Sequence, residues 1–407
     1  MITEIDERRI DAIDLKVGMF VCRLDRPWEG TPFPLQGVEL RSEADIKAIR
    51  DLCHYVYIDA LRQAVDTSRA VLARESAAET RFRSSVTYVD RATVDEEMPH
   101  AVEALANATA MVDRIYADVS SGRELSAEYV ENAVRPLVSS VLRSADAFLY
   151  IEGLRKHDSY SYSHAISASA LAAAFGRHMG FAHETIISLA AGGLLMDIGK
   201  MRLPASLLNY QGTLSSSEVE LVRSHVQHGL DILAHSKITD PDVLNIVSSH
   251  HERHDGSGYP HGRKATSIPI AARILGIIDA YDAMASVRPY RPANSRHQAL
   301  QHIYGARDVL FQAEMVEQFL VCLGTYPTGS LVELSTGEIA VVMAQNHVRR
   351  LRPRVVIVSS PTKQPLREFR VFDLMEQREM RNATEIVRSL ASGEFGIDVA
   401  EYFLERT

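Results

Sequence analysis

Cysteine is scarce in this chain. Cys22, Cys53 and Cys322 are the only three in 407 residues, neither even in number nor closely spaced. That excludes a disulfide framework and a zinc ribbon, and the thiols read as reduced, in a reducing compartment. No apolar run is long and clean enough to span a bilayer. The most apolar helical stretches are rich in alanine and broken by charge or histidine, as at Phe175 to Met179. Met1 to Arg9 is acidic and has no signal-peptide core, so a cytoplasmic protein is expected. Positive charge is also short. A formal net charge of -9 argues against broad binding to DNA or RNA, which needs a basic surface to displace counterions. A local cluster of Arg and Lys can still hold a small anion. No internal repeat is visible.

What is present is ample apolar content, 46% of the residues, in a chain long enough for more than one domain. From Ile10 to Asp59 short apolar runs are broken by turn residues. Val17 to Val21 and Tyr55 to Ile58 read as strands, Ala44 to Leu52 as a helix and Trp28 to Gly37 as an irregular loop. This is a small α+β module over residues 1–60. Residues 61–98 carry many charges and few large apolar side chains, the pattern of a linker or an exposed helix. Beyond Pro99 the period becomes helical. Leu105, Val112, Tyr116 and Val119 share one face, as do Val130, Val134, Leu137 and Val141, with Pro136 expected to kink the second helix. Further helices are expected from Ser163 to Gly180, from His183 towards Met196, after the capping box Ser215 and Glu218, after Pro269, after Ser295 and from Glu314 to Leu323. Residues 99–323 therefore form a helical domain. After Pro327 the period returns to two, and Ser335-Thr-Gly337 joins two strands in a hairpin, so residues 324–407 are a β-rich module. The fold class is mainly α.

The densest chemistry lies in His250-His-Glu-Arg-His-Asp-Gly-Ser-Gly-Tyr-Pro260. Adjacent imidazoles fill a core poorly, because each carries a polar nitrogen that must be paired, and they hold a metal well. Asp240 and Pro241 supply a cap and a first helical residue, so the pair falls at a helix C-terminus. His164, Asp197, His225 and Asp279 stand on, or at the ends of, other expected helices, and a bundle can aim such groups at one point. Singly, His225 is more often a satisfied histidine than a ligand, and Asp279 equally reads as a buried cap. His178, His183, His228 and His235 are expected on solvated faces. Imidazole mixed with carboxylate suits iron, manganese or zinc rather than calcium or magnesium.

With Leu194-Leu-Met-Asp-Ile-Gly-Lys200, His225 with Gly229, the His250 to Pro260 stretch, Ile268-Pro269, Arg273, Asp279 and Ser286-Val-Arg-Pro-Tyr-Arg291, the chain resembles the HD-GYP family of HD phosphohydrolases in order and spacing, from about Tyr150 to Leu323. That family hydrolyses cyclic di-GMP to the linear dinucleotide or to GMP. Residues 5–60 are similar to an N-terminal module of unassigned function often attached to such domains. The resemblance implies that His164, Asp197, His225, His250, His251 and Asp279 are metal ligands, with Asp197 bridging. It implies that Lys200 acts near the scissile phosphate and that Arg288 and Arg291 hold phosphate groups; without it, the two arginines read as a solvated turn around Pro289. Gly258, Tyr259 and Pro260 would form the namesake loop and offer a surface to a protein partner. One residue departs from the pattern: Met196 stands where the family has the histidine before Asp197. A thioether is a weak ligand for such ions, which weakens one metal position and leaves the other intact. Tyr160 replaces the glutamate that some members use for a third metal, so one or two metals are expected and no third. The expected activity is a metal-dependent cyclic di-GMP phosphodiesterase. The rival is a degenerate domain that senses cyclic di-GMP or binds a protein. The helices between Pro99 and Gly153 are candidate homodimer surfaces.

Overall fold

The computed structural model describes residues 7–25, 38–40, 42–59, 86–154, 160–286, 294–346, 349–376 and 383–397. Two compact units emerge, one of residues 1–83 with 346–351 and one of residues 84–345 with 352–407.

In the first unit, β1 (Glu7–Asp11), β2 (Phe20–Leu24), β3 (Val38–Glu39) and β4 (Tyr55–Asp59) form an antiparallel sheet of order β1-β4-β2-β3. Helix α1 (Glu43–Arg50) is fixed by a capping box in which Ser42 and Asp45 satisfy each other's backbone N–H. Ile46 and Ile49 of α1 join Val21, Leu40 and Val56 in the core. The strand expected over Val17 to Val21 starts three residues later, because Gly18 at φ +94° makes the turn before it. The loop expected over Trp28 to Gly37 and the linker up to residue 85 lie outside the described residues.

The second unit is helical, with a sheet on its flank. Its first hairpin is α2 (Val94–Ser120) and α3 (Ala127–Arg143). Helix α2 begins before Pro99 rather than after it, because Thr93 and Glu96 form a capping box that nucleates the helix ahead of the proline. Its buried stripe, Ala101, Ala104, Leu105, Ala108, Val112, Ile115 and Val119, repeats every three or four residues. Glu97 accepts two hydrogen bonds of 2.7 Å from Arg143 and ties the start of α2 to the end of α3. Helix α3 is continuous through Pro136.

Next come α4 (Ala145–Gly153), α5 (Tyr160–His178) and α6 (His183–Leu195). Ala165, Ile166, Ala168, Ala170, Leu171, Ala172 and Phe175 are buried around the whole circumference of α5, which makes it the central helix. A 3-10 turn over Ile198–Arg202 and the short α7 (Ala205–Leu208) lead to α8 (Ser216–Arg223) and α9 (His225–His235). The single helix expected after Ser215 is thus two, with Ser224 between them. They are followed by α10 (Pro241–Ser249), α11 (Ile270–Ala285), α12 (Arg296–Gly305) and α13 (Ala313–Leu323).

Strands β5 (Leu331–Leu334), β6 (Ile339–Ala344), β7 (Arg354–Ser359), β8 (Pro365–Asp373) and β9 (Ile386–Leu390) form an antiparallel sheet of order β8-β7-β6-β5-β9. The sheet belongs to the helical unit. Buried Asp146 of α4 accepts from the Thr328 hydroxyl at 2.5 Å and from the Gln345 backbone N–H at 2.8 Å, on either side of the β5–β6 hairpin. No helix of the described residues is long and apolar enough to cross a membrane.

Candidate metal centre

Five segments converge on one point in the helical unit. His164 sits in the second turn of α5. Asp197 follows α6 and starts the 3-10 turn, His225 opens α9, His250 caps α10 with His251 next to it, and Asp279 lies on α11.

Three of the imidazoles, those of His164, His225 and His250, are oriented by a bond at the far side of the ring. His225 Nδ1 lies 2.7 Å from the Val222 carbonyl and His250 Nδ1 lies 3.0 Å from that of Ile246. A carbonyl only accepts, so each Nδ1 carries the proton and each Nε2 is left with a lone pair. Those two Nε2 atoms stand 3.4 and 3.7 Å from Asp197 Oδ1. His251 stacks between His250 and Tyr259, with ring centroids at 4.0 and 4.6 Å. On the other side, His164 Nδ1 meets Asp282 Oδ2 at 2.6 Å, and its Nε2 is 3.3 Å from Asp279 Oδ1 and 3.6 Å from Asp197 Oδ2. Asp279 and Asp282 are three residues apart on α11 and so share a face.

The backbone is shaped to this convergence. Gly199 lets the 3-10 turn touch α9, since a Cβ there would lie 1.9 Å from the His225 carbonyl oxygen. Gly258 lets the loop fold back, since its Cβ would meet the His251 carbonyl at 2.4 Å. Buried Glu252 accepts from the N–H groups of His261 (2.8 Å) and Arg263 (2.9 Å), which pins the loop that carries Tyr259.

The polar atoms are satisfied unevenly. Asp197 Oδ1 and the Nε2 atoms of His225, His250 and His251 are buried without a hydrogen-bond partner. Leaving four such atoms facing one another costs free energy that a cation among them would recover. Asp197, His225, His250 and His251 form one group able to hold a metal ion, and His164, Asp197 and Asp279 form a second. Burial, against the pull of Asp197, pushes His225 down to about 4, and burial likewise holds His251 well below the ordinary histidine range. Burial opposes charge on Asp197, but Lys200 and the imidazoles of His250, His225 and His164 hold its carboxyl well below the usual range. Burial also opposes charge on His164; the carboxylates of Asp279 and Asp282 outweigh it and raise it to about 10. The neutral imidazoles of His225 and His251 beside the ionised carboxylate of Asp197 are a donor set suited to a divalent metal ion.

Lys200 donates to Asp197 Oδ2 at 2.5 Å, on the side of Asp197 away from the unpaired atoms. Met196, just before Asp197, is fully buried. Gly258 and Tyr259 are half-buried and Pro260 is exposed. Arg288 and Arg291 lie outside the described residues. Two histidines expected in solvent are not there: His178 is half-buried against Gln318 (3.1 Å) and His228 is half-buried, because α5 and α9 are covered on those faces. His183 and His235 are exposed.

Sequence reasoning missed three contributors. Asp282 could have been found from its spacing after Asp279, and Glu252 from its place inside the histidine stretch. Arg223, whose guanidinium lies 4.9 Å over the Tyr259 ring, carries no signal of its own.

Comparison with known proteins bears on the same residues. A family model described as an HD domain matches residues 149–314, and a model of a domain of unknown function, DUF3391, matches residues 7–130. A cyclic di-GMP phosphodiesterase of Pseudomonas aeruginosa is 31% identical over 362 residues, covering 88% of this chain and 87% of that protein. The cyclic di-GMP phosphodiesterase response regulator RpfG of Xanthomonas campestris is 33% identical over 37% of this chain and 40% of its own length. Among solved structures, an HD-GYP-type protein of Bdellovibrio bacteriovorus matches with a TM-score of 0.47 at 16% identity, over 77% of this chain and 98% of that one.

Proposed function

Since the chain belongs to the HD-GYP family of cyclic di-GMP phosphodiesterases, we propose that it is a metal-dependent phosphodiesterase that hydrolyses cyclic di-GMP to the linear dinucleotide or to GMP. The observation that carries this reading is the set of four buried, unpaired donor atoms on Asp197, His225, His250 and His251. The ligands assigned are His164, Asp197, His225, His250, His251 and Asp279, for one or two ions of iron, manganese or zinc and no third. A divalent metal there supplies Lewis acidity, making water a competent nucleophile at neutral pH and offsetting charge on the phosphoryl oxygens.

The chain's own residues do the rest. Val222 and Ile246 hold two imidazoles in the donor tautomer, and the stack of His251 on Tyr259 keeps the third from turning. Lys200, one-quarter exposed, reaches the edge of the site with an ammonium that can stabilise a pentavalent phosphorus or protonate the departing oxygen. Arg288 and Arg291 are assigned to the phosphates, for which a guanidinium offers paired donors. Gly258, Tyr259 and Pro260 frame the mouth and offer a surface to a protein partner, and the helices between Pro99 and Gly153 offer a homodimer surface. The three cysteines, none in a disulfide, suit the cytoplasm, where this signalling substrate would be met.

Met196 favours a second reading, in which the domain binds cyclic di-GMP or a partner with little turnover. A soft thioether replaces a nitrogen donor at the first metal position. Metal analysis of protein purified without chelator, paired with turnover of cyclic di-GMP in added manganese or iron, separates the two. Bound metal with product supports the enzyme; no metal and no product under either ion overturns it. A large gain of activity in Met196→His would identify the missing donor as what limits the site.

A further inference from the structure

The two halves of the site differ in how their atoms are spoken for. All four unpaired atoms belong to the half made by His225, His250, His251 and Asp197 Oδ1. In the other half, the ring of His164 lies between Asp282 (2.6 Å) and Asp279 (3.3 Å), and Asp197 Oδ2 takes a 2.5 Å hydrogen bond from Lys200. None of the unpaired buried atoms of the described residues lies on His164 or Asp279.

From this division we infer that the chain holds one tightly bound metal, in the half made by Asp197, His225, His250 and His251, and that Lys200 supplies at Asp197 Oδ2 the positive charge a second metal would bring. The inference rests on the metal reading proposed above. An ion entering the first half meets four donors with no partner to give up, so its binding removes a desolvation penalty that those buried atoms otherwise carry. An ion entering the second half must take Oδ2 from the Lys200 ammonium and part His164 from Asp279. It then finds three protein donors, His164, Asp197 and Asp279, with a thioether at the preceding residue, Met196. Charge-assisted hydrogen bonds are about twice as strong as neutral ones, so the cost of displacing Lys200 is substantial. Lys200 would therefore have two duties, neutralising the carboxylate in the resting protein and facing the phosphate during turnover.

The test is elemental analysis of the full chain after equilibration with excess Mn(II) and desalting, together with electron paramagnetic resonance of the loaded protein. One equivalent per chain, with the hyperfine-resolved spectrum of an isolated ion, is expected. Two equivalents with the spectrum of a coupled pair would overturn the inference and leave the metal reading standing. No bound metal would overturn both. His164→Ala is expected to keep the equivalent and His225→Ala to lose it, and the reverse pattern would put the metal in the wrong half. The double variant Met196→His with Lys200→Met is expected to take up a second equivalent. If it folds, as judged by its circular dichroism, and still binds one, Lys200 and Met196 are not what excludes the second ion.

Discussion

The centre depends on close approaches that a single atom can spoil. In Gly199→Ala the added Cβ would fall 1.9 Å from the His225 carbonyl, backbone against backbone, so the 3-10 turn or α9 must move. We expect a loss of about 1–3 kcal/mol in stability, of the order seen for overpacked cores, and weaker metal binding, checked by urea unfolding and by metal titration. Glu252→Ala is a different kind of fault. It leaves the N–H groups of His261 and Arg263 without their acceptor, which costs about 1–3 kcal/mol and loosens the loop holding Tyr259 against His251. Faster hydrogen exchange at those two amides would show it; unchanged exchange would mean that the loop is held by something else. At this scale the convergence of the histidines was legible, since two adjacent histidines ending a capped helix fill a core poorly and the structure brings them together with His225 and Asp197. The division of Asp197 between an unpaired Oδ1 and a lysine-bound Oδ2 was not legible. It depends on which side of a carboxylate five separate segments approach, and no local pattern encodes that.

Helix boundaries decide where those side chains point. The start of α2 was misplaced because Pro99 looked like a boundary, whereas the Thr93 capping box sets the start and the proline sits within the first turns. Thr93→Ala is expected to cost about 1 kcal/mol, measured by thermal or denaturant unfolding. The Glu97–Arg143 pair gives the same region a pH dependence. Burial opposes the charge on Glu97, but the Arg143 guanidinium outweighs it and lowers the Glu97 pKa below the ordinary glutamate range. A depressed carboxyl contributes stability that is present above the unfolded-state value, about 4.3, and is lost as pH falls through the folded value. Glu97→Gln should therefore lose about 1–2 kcal/mol near neutral pH and differ less from the parent below pH of about 4. An equal loss at both ends of that range would contradict it. The capping signals at Ser215, Asp240 and Ser295 were legible because each is a local hydrogen bond. The break at Ser224 was not, since apolar spacing continues across it. Strands β1, β3, β8 and β9 were missed: β1 is mostly charged, β3 is two residues long, and β8 and β9 are largely exposed or half-buried, leaving little apolar periodicity to read.

At the scale of the molecule, the mainly α class and the flanking β-rich segments follow from periodicity, but the attachment of the second sheet does not. Asp146 makes that attachment from a helix nearly two hundred residues away in sequence from Gln345. A metal that binds only the folded chain adds about 2.7 kcal/mol at a free concentration one hundred times its Kd. Chelation should thus lower the unfolding temperature by several degrees, and re-addition of Mn(II) should restore it; insensitivity to both would place the site's order elsewhere. The central claim, that this centre is built to hydrolyse a cyclic dinucleotide with a metal, is tested most directly by incubating cyclic di-GMP with the Mn(II)-loaded full chain and with the chelated chain and resolving the products by chromatography. The account predicts linear dinucleotide or GMP with the loaded protein and none after chelation. Intact cyclic di-GMP in the presence of protein shown to carry its metal would contradict it.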